Sequence, residues 1–119
     1  MNLNQFRDYC LSKKGVTEDF PFDETTIVFR VGVKIFAISD VEQLPFTFNL
    51  KCDPEKAVEL REKYSCITPG WHMNKKHWNT IEPDSSISLK LLKELIDHSY
   101  ELVLSSLKKS EKEKFLKLK

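Results

Sequence analysis

Leu3, Phe6 and Cys10 recur at spacings of three and four, with Leu11 beside them, and this predicts a short amphipathic helix ending before Gly15, its expected C-cap. After the acidic, proline-interrupted stretch TEDFPFDE the period falls to two. Ile27, Phe29 and Val31 alternate with Thr26, Val28 and Arg30, then Val33, Ile35 and Ala37 alternate with Lys34, Phe36 and Ile38. Both runs predict strands, joined at Gly32-Val33 by a hairpin whose first central glycine suits a type II′ turn. Both sides of this hairpin are largely apolar, so one face should carry a helix and the other be partly covered.

Phe46, Phe48 and Leu50 against Thr47, Asn49 and Lys51 predict a third strand, with Pro45 at its start where no ladder donor is needed. Asp53 as N-cap, Pro54 at the first helical position and Glu55 at the positive end of the dipole open a helix. Ala57, Leu60 and Tyr64 lie along one side of it. Cys66 to Thr68 reads as a short strand before Pro69-Gly70, and Trp78 to Ile81 as another, stopped by Glu82-Pro83-Asp84. A long amphipathic helix begins near Ser86 or Ser88 and runs through Leu92, Leu95, Ile96, Tyr100 and Val103 to about Leu107. In the last twelve residues six lysines face two glutamates, so 108–119 is read as a fraying lysine-rich tail despite Phe115, Leu116 and Leu118. The expectation is one domain over 1–107, of class α+β, with an antiparallel β-sheet and helices packed on one face.

A hydrophobic fraction of 40% with 31% charged residues fits a folded globule rather than a disordered chain. The N-terminus has no basic region followed by an apolar one, and no apolar run approaches the roughly 18 residues of a membrane span, so the expected location is cytoplasmic, with no membrane partner. Cys10, Cys52 and Cys66 are irregularly spaced without a CxxC pair and are read as reduced thiols. The net charge of +1 excludes a globally basic nucleic-acid binder. Any such activity must rest on a local patch.

One such patch is GWHMNKKHWNT, residues 70–80, which holds both tryptophans, two of three histidines and a lysine pair without an acid. FPFDETTIVFRVGVKIFA, FNLKCDPEKAVELREKY, GWHMNKKHWNT and LLKELIDHSYELV together closely resemble the MmcQ/YjbR-like family of small bacterial proteins, from about Asn2 to Leu104. The resemblance implies a CyaY-like fold related in shape to frataxins, and a DNA-binding role. Two departures are visible: Gly32-Val33 stands where a double glycine is usual, and Trp71 where tyrosine is. The lysine-rich tail lies outside the resemblance.

The chemistry can be weighed residue by residue. His72, His77 and Cys66 do not have a zinc spacing, and Lys75 and Lys76 would repel a cation. Glu18, Asp19, Asp23 and Glu24 offer an iron ridge only by analogy with the frataxin shape, and are read as a solvated loop. Neither a metal nor a cofactor is expected. Cys66 with His72 or His77, and Ser99 beside His98, are the tempting nucleophile–base pairs, but the first lacks an orienting acid and the second diverges on its helix. A non-enzymatic protein is therefore expected, and a monomer.

Nucleic-acid binding uses the patch more economically. Lys75 and Lys76 would neutralise phosphates, Asn74 and Thr80 would hydrogen-bond, and Trp71, His72, His77 and Trp78 would stack or pack. Lys51, Arg30 and Lys34 would join them if the loops gather at one end of the sheet. The alternatives are a pocket for a small molecule or a protein partner, and a metal-handling role. Against these stands a purely architectural reading: Trp78 packed under a helix, Asn74 capping a turn, and His98 a packed or surface histidine.

Overall fold

The computed structural model describes residues 1–70 and 73–118. Its elements are α1 (Leu3–Leu11), β1 (Val16–Asp19), β2 (Thr26–Val31), β3 (Lys34–Asp40), β4 (Phe48–Lys51), α2 (Pro54–Lys63), β5 (Ile67–Pro69), β6 (Trp78–Ile81), α3 (Leu89–Ser105) and α4 (Lys109–Leu116). The six strands form one sheet in the order β1-β2-β3-β4-β6-β5, antiparallel throughout. The α+β expectation holds. No described helix is long and apolar enough to cross a membrane.

Directly paired residues share a face of the sheet. Ile27, Ser39, Phe48, Ile81 and Ile67 follow one another across one register row on the helix side. There Phe6 of α1 stacks on Phe48 and meets Phe29 edge-on, and Tyr100 of α3 meets Phe36 edge-on. The adjacent row, Asp19, Val28, Ile38, Asn49, Thr80 and Thr68, belongs to the opposite, open face. Val28 is fully buried yet lies outside the helix-side core, so the open face is partly covered, as the apolar hairpin predicts.

Three local expectations change. Strict alternation in β3 fails, because the register with β2 slips between Phe29 and Arg30: Ala37 faces Phe29, and Arg30 faces Ile35. Phe36 and Ala37 therefore both enter the helix-side core. Gly15 is no C-cap. Ser12 caps α1, and Gly15, at φ 75°, turns the chain into β1, a strand that the acidic composition of its sequence concealed.

The fraying tail is the third. Residues 109–116 form α4, and Phe115 packs against the core. A Cβ on Gly15 would lie 2.9 Å from Leu118 Cδ1 and 3.2 Å from the Phe115 ring, so the glycine makes room for the docked terminus. The Lys14 ammonium sits 4.9 Å from the centre of the Phe115 ring, a cation–π contact that adds to the seat. Two apolar side chains at the right spacing outweigh lysine repulsion when a surface is ready to receive them.

Helix α2 starts as its sequence dictates, with the Asp53 carboxylate accepting from the Lys56 N–H. The Asp53 N–H in turn donates to His98 Nε2 on α3, at 3.2 Å, which requires a neutral imidazole. Burial, and then the charge of Lys56, hold the His98 pKa below its ordinary 6.5. A depressed histidine stabilises the folded state above the unfolded pKa, and that contribution is lost as pH falls through the folded value. Unfolding free energy should therefore decline as pH drops below about 6.5 and level off as the folded His98 ring itself titrates, which its ring resonances would report in an NMR titration. A His98 ring titrating above that value would contradict the neutral acceptor.

Candidate functional site

The open face holds a groove of about 480 Å³. Its floor and walls include Ile35 and Ile38 from β3, Trp78 from β6, Met73 from the preceding loop and Phe22 from the β1–β2 connection. Thr26, Thr47 and Asn49 supply hydrogen-bonding groups, and Asp40 is the ionisable side chain among its described lining. Such a mixture, mostly apolar with a few placed polar groups, is the usual make-up of a ligand cleft. A second recess of about 250 Å³ adjoins it, sharing Gln43 and Thr47 and adding Thr68, Thr80 and Glu82.

The connection that supplies Phe22 is held by Asp23. One carboxylate oxygen accepts from the Thr25 and Thr26 N–H groups and the other from the Thr26 hydroxyl, and these bonds hold the Asp23 pKa below the usual carboxylate range. Its acidic neighbours are also engaged: Glu18 pairs with Arg7, and Asp19 with Arg30 at 3.4 Å. Three of the four acids proposed as an iron ridge thus have partners within the fold. Among the described residues no three His, Cys, Asp or Glu side chains gather as a metal site.

The strand register decides the convergence left open by the sequence. Lys51 faces Trp78, Leu50 faces Ala37, and Arg30 faces Ile35, so Arg30, Lys51 and Trp78 lie toward one end of the open face. The 73–77 loop leaves from that same end. Lys34 is there too, but its ammonium donates to the carbonyl and hydroxyl oxygens of Ser106 and closes the C-terminal end of α3. Trp71 and His72 fall outside the described residues.

Within the loop, Asn74 does cap a turn: its side-chain oxygen accepts from the Lys76 N–H, and its carbonyl from the His77 and Trp78 N–H groups. Arg61 of α2 donates to the Lys75 carbonyl, and the Cys52 N–H to that of His77, so the loop backbone is tied both to α2 and to the residue that follows β4. Lys76 lies in a shallow cleft beside Glu55 and Glu59 of α2. The loop is therefore divided, with Met73 and Trp78 in the open-face groove and Lys76 beside the acids of α2. Trp78 is half-buried in that groove rather than under a helix, because Asn79, its neighbour, takes the helix side and donates to the Ala57 carbonyl. Thr80 turns its hydroxyl to Asn49 Oδ1, 2.5 Å away on the open face.

Of the nucleophile pairs, Cys66–His72 lies outside the described residues, and Cys66–His77 and Ser99–His98 do not form. Cys66 lies beyond Ile67 where Glu82 passes, so His77 is about five residues, or roughly 16 Å, further along the strand direction. Burial raises the pKa of all three thiols, that of Cys52 to about 11. Ser99 is held between two backbone groups and does not face His98. Sequence reasoning missed Asn49, Thr47, Asp40, Ile38 and Met73 as site residues. The available signal was the apolar open side of the first hairpin.

Comparison with known proteins agrees with the fold and its motifs. Residues 11–102 match the sequence profile of the YjbR family. The uncharacterized protein YbdF of Escherichia coli O157:H7 is 42% identical over 96 residues, 80% of this chain and 78% of that protein. The uncharacterized protein YjbR of E. coli K12 is 32% identical over 117 residues, 98% of each. Among solved structures, a Deinococcus radiodurans protein with a DUF419 domain superposes with a TM-score of 0.89 at 38% identity, covering 96% of this chain and 87% of its own. A Pseudomonas syringae protein does so at 0.74 and 31% identity, covering 87% of this chain and 99% of its own. The profile match over residues 11–102, together with a relative, YjbR itself, aligned over 98% of both chains, makes this chain a member of the YjbR family.

Proposed function

We propose that the protein is a non-enzymatic binding module and that its ligand lies in the open-face groove. The observation that carries this reading is a cleft of about 480 Å³ on a sheet face, with Ile35, Ile38, Met73 and Trp78 gathered around amide and hydroxyl groups. These groups hold a ligand by contact and hydrogen bonding. Apolar area of this kind gains free energy when covered, by roughly 25 cal/mol per Å².

Nile red, an uncharged apolar dye, tests the reading directly. Saturable fluorescence enhancement is expected with the intact chain, weakened about tenfold by Trp78→Ala through loss of an aromatic contact. The variant's amide spectrum would verify that it folds. Absence of saturable binding to the intact chain would sink the groove reading.

The placement of Arg30, Lys51 and Trp78 at one end of the open face favours a second reading, DNA binding. It predicts saturable duplex binding that falls steeply between about 50 and 200 mM salt and is lost in Lys51→Ala/Lys75→Ala/Lys76→Ala. Binding that ignores salt or survives the triple substitution would remove it.

A further inference from the structure

The groove and the smaller recess adjoin at Gln43 and Thr47, which line both, and together they make an elongated channel-like depression on the open face. The channel has opposite characters at its two ends. Trp78, Ile35 and Met73 make one end apolar. At the other, Ser39 pairs with Phe48 and Phe48 with Ile81, so the next residues along, Asp40, Thr47 and Glu82, form a row two carboxylates wide. Two inter-strand steps, about 10 Å, separate the backbones that carry them. The Trp78 row lies four residues away, about 13 Å along the strands.

Asp40 and Glu82 are the ionisable carboxyl groups of the channel, and neither a lysine nor an arginine is among its described lining. One Asp40 oxygen accepts from the Glu42 N–H. The other has no described donor. Thr47 and Gln43 stand between the two carboxylates and offer hydroxyl and amide groups.

We infer that the channel selects an elongated organic cation: an apolar, flat body lying over Ile38 toward Trp78, with an amine head between Asp40 and Glu82. This rests on the groove reading and sharpens it by charge. A carboxylate or phosphate ester of the same shape would meet two like charges where the amine meets two opposite ones. The channel would therefore reject the anions that the lysines at the other end of the sheet would attract.

The test is a matched pair of probes, naphthylbutylamine and naphthylpentanoate, each displacing Nile red from the intact chain. The amine should compete at least about fivefold better, the preference expected from exposed ion pairs. Asp40→Asn/Glu82→Gln should bring the ratio of the two close to one; asparagine still accepts the Glu42 N–H, so the turn survives. Equal competition, a preference that persists in the double variant, or displacement by neither probe would each overturn the inference while leaving a dye-binding groove in place. Failure of Nile red itself to bind would remove groove and inference together.

Discussion

Phe6→Ala should lower the unfolding free energy by about 3–5 kcal/mol, the range for deleting a large aromatic from a closed core. The ring is fully buried. It stacks on Phe48 at 4.4 Å, meets Phe29 edge-on at 5.5 Å and leans on Phe46 at 5.8 Å, so its loss would leave three aromatic faces against a void. Helix α1 has nine residues and would not persist alone, whatever its Asn2–Gln5 capping box contributes. Phe6 and Cys10 are its buried anchors, while Tyr9, donating to Asp97 of α3 at 2.7 Å, is the polar one. Urea unfolding curves would register the change as a lower midpoint. Leu116→Ala, at a side chain 73% exposed, should move it by less than about 0.5 kcal/mol. A Phe6→Ala midpoint equal to the parent's would mean that α1 does not close this core.

The elements most legible in the sequence were those whose local signals agreed. Asp53-Pro54 opens α2 where capping and the fixed proline φ both place it, and the strand predicted from Trp78 to Ile81 is β6. What the sequence hid depended on tertiary partners. Strand β1 is acidic and short, and is recruited by pairing with β2. Helix α4 has lysines along most of its length but finds the space above Gly15. The bulge in β3 sits in an apolar run where alternation carries no polar marker, so a one-residue slip leaves no trace in composition.

The site was legible in part for a similar reason. The chemistry-bearing loop at residues 70–80 announced itself by composition, and Trp78 does reach a groove. Its floor comes from β2, β3 and β4, whose groove residues are ordinary strand residues until the fold leaves their face without a helix. Spacing in the loop also could not say that Lys76 lies by α2 while Met73 lies on the open face. Six consecutive residues serve two surfaces because the backbone is pinned midway, at Lys75 by Arg61 and at His77 by Cys52.

Ser99→Ala should cost about 2–4 kcal/mol, far more than the packing of its single lost oxygen, because two backbone groups lose their partner at once. The β3–β4 ladder pairs Ala37 with Leu50 and then stops. The groups that would continue it, the Phe36 carbonyl and the Lys51 N–H, are instead bridged by the Ser99 hydroxyl, which donates to the first at 2.6 Å and accepts from the second at 2.9 Å. The slip between β2 and β3 draws Phe36 toward the helices, and a hydroxyl from α3 fills the opening this leaves. Ser99 is itself fully buried, so water has no easy route to replace it. Amide exchange at Lys51 should therefore quicken in the alanine variant by more than at Leu50. Ser99→Thr keeps the donor and acceptor but adds a methyl to a closed space, and should fall between the two in stability. Because Lys51 is paired with Trp78, loosening this bridge should also weaken Nile red binding from beneath, at a position that does not line the groove. A stable alanine variant with a protected Lys51 amide would show that β3 and β4 can close directly, and that the hydroxyl occupies the ladder without being needed by it.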